Sequence, residues 1–435
     1  MRATFAHSFQ PVVARALPQW GQYALLTSVT VASGNPIAGV WGSQTPWLVL
    51  TAVALAAALY SRIRLASSIY LVIVPLALIS LLHVALFGPI VAAASAGFLL
   101  KLFIAAVCAT TVDNFGIKFI RIMAALAGLS LVFFVPLLAG VDIVGLTAPF
   151  AVSVGELNLV TIGIHTFNFT EGGVRNSGMF WEPGAFSGYL ALALLFFATS
   201  RERFRTPIVL VALIFAALLT TRSTTGYAAT AAIVLFAVAS SSTTSRSPFG
   251  LAVSVIGVCG LLFAFVALST NFDFLAAKTI AQWESALSGV SGNETTRFGN
   301  VFFDMRDLLQ RPVTGWSASS EPRFGGSAAI ASIIQVQGNG LSGFAVRYGL
   351  LGSLVAVLAL FFGMLRWSSS VVTALASVAI VAILLFGQQF FNYPAFLCLF
   401  FLRAPLTPAR DVFARNWAPS SPRSGSSPQA MTVGA

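Results

Sequence analysis

Charge is scarce in this chain. Only 9% of its 435 residues are Asp, Glu, Lys or Arg, against 57% hydrophobic residues. A soluble domain carries about 25% charged residues, so there is more apolar surface here than any interior of its own could hide. Histidine and cysteine are also rare, at three each. Cys108, Cys259 and Cys398 all fall inside apolar runs, which makes them small core residues and not a disulfide or metal set. No cleavable signal peptide is visible: the first 16 residues hold Arg2 and Arg15 but no apolar core. Also missing are a Walker motif, a Rossmann glycine fingerprint, a Ser nucleophile elbow and any Asp-x-Asp pair that would hold a metal–nucleotide. No metal and no cofactor is therefore expected.

Twelve apolar runs are present, at about 17–33, 46–60, 67–87, 89–110, 122–140, 179–199, 206–220, 226–239, 249–268, 341–365, 369–389 and 393–403. They are far longer than barrel strands of about 10 residues. The last could be the second half of a helix broken near Asn392-Tyr393-Pro394. The fold class expected is an all-α polytopic membrane protein of about 12 transmembrane helices. Orientation follows from the short connections. Arg62 and Arg64, Lys118 and Arg121, Arg201, Arg203 and Arg205, Arg246, and Arg366 make every second connection basic. That is the positive-inside pattern, with both termini cytoplasmic. The net charge of +11 is then topogenic charge beside the inner leaflet, with membrane lipid and not nucleic acid as its partner.

The chain accordingly divides into N-terminal spans (1–140), a first long outward loop (141–178) and central spans (179–268). A large outward loop (269–340), C-terminal spans (341–403) and a disordered cytoplasmic tail (404–435) follow. Long loops on a membrane protein usually carry function. In the second, Phe298, Val301, Phe302, Met305, Leu308 and Leu309 recur at helical spacing, with Thr295 or Thr296 as cap and Pro312 as stop.

Several arginines break the positive-inside rule on the outward face. Arg222 lies in the turn between two spans. Arg175 opens a segment, through Asn176, Trp181, Glu182 and Pro183, that enters another span. Pro183 suits the first helical turn and Glu182 the positive end of the helix dipole, so a capped helix with an Arg–Glu pair is one reading of it. Arg297 opens the loop helix, where a cation is unfavourable next to the dipole. Arg347 falls about two turns into the tenth run, where it either serves function or snorkels outward. Lys101, inside the fourth run, is read as snorkelling inward. Arg306 and Arg311, near Asp304 and Asp307, read as a solvated face, and Lys278 and Arg323 carry no distinguishing context. The pattern points to an externally facing pocket for a strongly anionic ligand.

In order and common side, these features resemble the bacterial O-antigen polymerase and ligase superfamily, which includes O-antigen and exopolysaccharide polymerases of the Wzy type. Four places carry the likeness: Arg175, Gly178, Phe180 and Pro183 entering a span; Thr221-Arg222 starting another; Arg297 followed by a helix and Pro312-Val-Thr-Gly315; and Asn339 leading to Tyr348-Gly-Leu-Leu-Gly352. Ligases of this group place a functional His at the entrance to that late span. Here the stretch reads Gln337-Gly-Asn-Gly-Leu-Ser-Gly343, without one, which fits a polymerase better.

The resemblance implies a GT-C-like, metal-independent glycosyltransferase in the bacterial inner membrane, with the outward loops periplasmic. Donor and acceptor would both be glycans linked to undecaprenyl pyrophosphate, and a chain-length regulator and a flippase are the protein partners it brings. Arg222 and Arg297 would neutralise the leaving pyrophosphate, with Glu182 the first candidate base and His165 the second. Arg175, Arg347, Asn176, Trp181 and Asn339 would line the substrate pocket. Two rivals use the same residues: a ligase-type transferase to another acceptor, and a secondary transporter of an anionic or lipid-linked substrate.

Overall fold

The structure is a computed structural model that describes residues 15–40, 45–63, 67–154, 159–167, 174–200, 207–241, 297–325 and 339–403. All of them belong to one compact unit, Met1–Ala404; the unit Pro405–Ala435, which holds the expected tail, lies outside the described residues. So do the run 249–268, most of the large loop, Arg64, Arg201, Arg203, Arg205, Arg246 and Lys278.

The described chain is mostly helical. Its longer helices are α1 (Gln19–Ala32), α2 (Thr45–Ser61), α3 (Ser67–Phe87), α4 (Ala92–Thr111), α5 (Phe115–Leu138), α6 (Pro183–Thr199), α7 (Ile208–Thr220), α8 (Thr224–Ser241), α9 (Arg297–Gln310), α10 (Gly340–Ser368) and α11 (Val371–Gly387). Four stretches are long and apolar enough to cross a membrane: Ile69–Phe87, Pro89–Thr111, Phe115–Leu138 and Gly340–Ser368. Helices α2, α6, α7, α8 and α11 are apolar but shorter. This composition is compatible with a membrane-embedded protein.

Helix α6 is the axis of the packing. It is buried along almost its whole length and packs on α5, α7, α8 and α11. A sequence with so few polar positions lets a helix be apolar all round, and such a helix belongs in the middle of a bundle. Its aromatic face joins a cluster of Phe180, Phe186, Tyr189, Phe390 and Phe396. The Tyr189 hydroxyl, fully buried, donates to the Ser33 carbonyl at 2.9 Å.

Three expectations need correction. Lys118 and Arg121 lie inside the first turns of α5, not in a loop before it. Lys118 is buried because its ammonium donates to Gln22 Oε1 (2.8 Å) and the Asp113 carbonyl (2.6 Å). The run 393–403 is not one continuous helix: Pro394–Leu397 and Cys398–Phe401 are two short helical turns, buried against α4 and α10. The fold is also not wholly α. The first long loop carries an antiparallel sheet of β1 (Val152–Val154), β2 (Leu159–Thr161) and β3 (Thr166–Phe167), in that order.

The tenth run is not one continuous helix either. Gly349, at φ 67°, breaks α10 nine residues after Gly340. The break releases the carbonyls of Val346 and Arg347 and the amides of Leu350 and Leu351. A loop from Pro312 to Ser317 supplies all four partners. Trp316 and Ser317 donate to Val346 and Arg347 at 2.8 and 3.0 Å, and Leu350 and Leu351 donate to Pro312 and Val313 at 2.8 and 3.2 Å. His83 Nε2 on α3 holds the same loop through the Thr314 carbonyl at 2.8 Å. Gly315 lies so close to Val346 and Gly349 that a side chain would not fit, and Gly349 is as tight against Val313. The Pro-x-x-Gly and Tyr-Gly-Leu-Leu-Gly stretches of the sequence are thus two halves of one joint.

A buried backbone group left unsatisfied costs about 1–3 kcal/mol, so the joint is a large local term. Gly349→Ala meets both a left-handed backbone, worth about 1–2 kcal/mol for an L-residue, and the Val313 carbonyl. It is expected to lower the melting temperature of the solubilised protein by several degrees. Gly343→Ala, on the same helix with open space at the Cβ position, is expected to leave it unchanged. Equal melting curves for the two variants would remove the joint as a source of stability.

Candidate functional site

Three helix N-termini meet around the segment that follows α11. Gly340, the first residue of α10, packs on the Gln388 carbonyl. Thr225, in the first turn of α8, packs on Gly387. Ser187 of α6 packs on Gly226 of α8, and Trp181, just ahead of α6, lies 4.9 Å from the Tyr393 ring. Helix N-termini present unsatisfied N–H groups and partial positive charge. Their convergence brings partial positive charge to this place, set against the C-terminus of α11 at Gly387.

Arg347 adds a full charge. Its guanidinium donates to Asn392 Oδ1 and Gln389 Oε1, both at 2.8 Å, and Asn392 Nδ2 in turn donates to Gln389 Oε1 at 2.8 Å. These partners are neutral and use two of its five N–H donors. Tyr393 stands within electrostatic reach of both Arg347 and Glu182. Glu182 occupies the N-cap of α6 in extended conformation, with Pro183 as first helical residue, and its carboxylate does not fold back onto the helix's own amides. Asn339 caps α10 by accepting from the amides of Leu341 (2.9 Å) and Ser342 (3.1 Å). Its Nδ2 is buried and has no hydrogen-bond partner among the described residues.

A second group lies at the start of α8. Arg222 has a left-handed backbone, φ 47°, a rare and strained state for a residue with a side chain. Arg175 holds it there: Nε donates to the Thr221 carbonyl at 3.1 Å and Nη2 to the Arg222 carbonyl at 3.0 Å. Asn176 is fully buried and fastens the same turn, donating to Ser130 Oγ (3.0 Å) and Thr220 Oγ1 (2.8 Å). The Arg222 guanidinium itself is exposed and makes no hydrogen bond or ion pair among the described residues. One arginine is thus built into the scaffold so that the other is presented.

Of the sequence-derived site residues, the structure therefore groups Trp181, Glu182, Asn339 and Arg347 around residues 387–393, and Arg175, Asn176 and Arg222 at the adjoining turn. Arg297 opens α9, and its side chain lies outside the described residues. Arg306, expected on a solvated face, is exposed, but the helix also buries polar side chains and exposes apolar ones. Asn300, Asp304 and Leu308 are buried toward α10, while Phe303, Met305 and Leu309 are exposed. The reason is charge pairing with a residue that carried no signal: Arg323 meets Asp304 at 2.8 Å and Asp307 at 2.5 Å. Burial pushes the Asp304 carboxyl above its ordinary range, and a 2.5 Å hydrogen bond from Ser342 with the Arg323 charge pulls it back. The Arg311 guanidinium lies against both the Phe87 and Trp316 rings, at 4.6 and 4.8 Å from their centroids.

Gln389, Asn392, Tyr393 and Arg323 were not singled out by sequence. Two amides and a phenol inside an otherwise apolar stretch are the signal for the first three; Arg323 has none. Among the described residues no group of three His, Cys, Asp or Glu side chains is placed to hold a metal ion.

His165, the alternative base, is packed instead. Its ring is stacked on Phe133 at 5.2 Å and edge-on to Phe167 at 4.9 Å, and desolvation lowers its pKa to about 4. The unfolded chain takes up this proton near pH 6.5 and the folded one does not, so stability falls as pH drops from about 6.5 toward 4. His165→Phe is expected to lose that dependence. The wild-type minus variant stability, measured by denaturant unfolding at pH 7 and pH 4.5, should drop by about 2–3 kcal/mol; a difference independent of pH would contradict the buried, neutral ring.

Neither protein-family models nor curated proteins match this chain, so the functional reading rests on residues and geometry.

Proposed function

We propose that the chain is a membrane glycosyltransferase that polymerises lipid-linked oligosaccharide repeat units, as in O-antigen or exopolysaccharide synthesis. On this reading about 12 spans cross a bacterial inner membrane, both termini are cytoplasmic, and the site faces the periplasm. The single observation that supports it most is the meeting of three helix N-termini with Arg347 and one carboxylate, Glu182, beside the turn that presents Arg222. Such a place suits a pyrophosphate and a hydroxyl nucleophile together.

In the reaction, the hydroxyl of the acceptor repeat unit attacks the anomeric carbon of the donor glycan from the face opposite the pyrophosphate. The bond from that carbon to the pyrophosphate oxygen breaks with its electron pair, and the configuration inverts. Charge gathers on the leaving pyrophosphate, where Arg222, Arg347 and the helix ends meet it with donors fixed in advance, a form of stabilisation that needs no reorganisation. Glu182 takes the proton of the attacking hydroxyl. Trp181 and Tyr393 offer ring faces for a sugar. Asn339, Arg175 and Asn176 position the site: one caps α10 and two hold the Arg222 turn.

One feature weighs against a transporter. Broken helices in transporters leave their freed backbone groups for ions or substrate; at Gly349 the Pro312–Ser317 loop takes all four.

Purified protein given a synthetic prenyl-pyrophosphate-linked repeat unit, in EDTA, is expected to produce a ladder of whole repeats. Arg222→Ala and Arg347→Gln should each slow it by about 10²–10³, and Glu182→Gln should remove it with substrate binding retained. A folded wild-type protein that binds its cognate repeat unit and yields no ladder would sink the polymerase reading.

A further inference from the structure

Lys101 does not fit an inward-snorkelling role. It lies in the middle of α4, inside the stretch Pro89–Thr111 that is apolar enough to cross a membrane. Its ammonium sits 4.6 Å from the ring centroid of Trp47 on α2, a buried ring. Among the described residues it has neither a hydrogen bond nor an ion pair. An ionisable group at that depth is costly unless something anionic or polar meets it.

Aromatic rings join its helix to α10 one turn away. Phe98, one helical turn before Lys101, lies 4.5 Å from the Tyr348 ring and 6.3 Å from the Phe344 ring. Phe344 is likewise one turn before Arg347. The two cations therefore follow a shared aromatic contact on facing helices, and they stand within electrostatic reach of each other. Among the described residues neither cation has an ion pair. Arg347 is bonded to two neutral amides, and the acid within its reach, Asp304, is already paired with Arg323. Two like charges held in an apolar bundle with neutral partners make a place for a third, negative, body.

We propose that Lys101, over the Trp47 ring, together with Arg347 forms an intramembrane site for the phosphate head of a lipid. Lys101 is partly exposed, and the neighbouring α2 presents Leu48 and Val49 outward. An anion reaching this depth past such a surface needs an apolar tail. The identity of the lipid, a prenyl pyrophosphate, rests on the function proposed above; the site itself rests on the residues. Lys101 is a binding residue here, not part of the bond-breaking step, and Trp47 shields the charge on one side while leaving its other side for the phosphate.

The test uses the full chain in nanodiscs of zwitterionic lipid, titrated with polyprenyl pyrophosphate and separately with inorganic pyrophosphate, without turnover. The wild type is expected to bind the prenyl form more tightly than the inorganic one. Lys101→Met should weaken the prenyl form by about tenfold, and Lys101→Arg, which keeps the charge, should restore most of it. Melting curves of both variants matching wild type would separate binding from folding. If Lys101→Met binds the carrier as well as wild type does, Lys101 is no ligand and the proposed function stands without it. If wild type binds no prenyl pyrophosphate, both ideas fall. Equal, Lys101-dependent affinity for inorganic pyrophosphate would overturn the lipid assignment in favour of a soluble anion.

Discussion

The backbone has no water to turn to inside an apolar bundle, so every N–H and C=O released by an irregularity must find a partner in the protein. That constraint is met most visibly at Gly349, where a loop distant in sequence enters the broken helix and completes its hydrogen bonding. The half-helix Gly340–Tyr348 is thereby held at an angle that regular helix would not give it. Its N-terminus reaches Gln388, and Arg347, at its other end, reaches Gln389 and Asn392. Much of the site depends on this one repair. Gly315 and Gly349 take part because each has a positive φ and each faces a backbone too close to admit a side chain.

The same constraint governs the charges. Arg175 satisfies carbonyls of a strained turn, Asn176 fastens it, and Arg323 neutralises two acids on α9. These polar groups are consumed by structure. Among the described residues, the groups that structure does not consume include the Arg222 guanidinium, the remaining donors of Arg347, and Lys101 over its tryptophan. Sorting arginines by whether their donors are used distinguishes scaffold from site more sharply than counting them does. Removing a consumed arginine exposes unpaired buried groups, and removing a presented one takes charge from the site alone.

Helix existence could be read from the chain because long apolar runs at helical lengths leave the backbone few other choices in a bundle. Nine of the apolar runs coincide with helices to within a few residues, and the fifth overlaps one that begins earlier, at Phe115. The arginines of the site were recognisable too, since a charge at the end or middle of an apolar run stands out against its surroundings. The roles of Arg175 and Asn176 were not, because a side chain bonded to a carbonyl or hydroxyl 40 to 50 residues away leaves no local pattern. The spacing of α9 does not by itself fix its buried face: Leu308 is buried, but the Asp304–Arg323 pairing turns Asp304 inward with it and leaves Met305 and Leu309 exposed.

Composition and periodicity alone thus establish a helical, membrane-compatible chain, the approximate limits of its helices, and a set of anomalous cations. These are local properties, set by transfer free energy residue by residue. Which cations share a place, which are spent on carbonyls, where a helix breaks and what fills the break are properties of chain return. They depend on hydrogen bonds between segments far apart in sequence, and such bonds exist only once the bundle has closed around them.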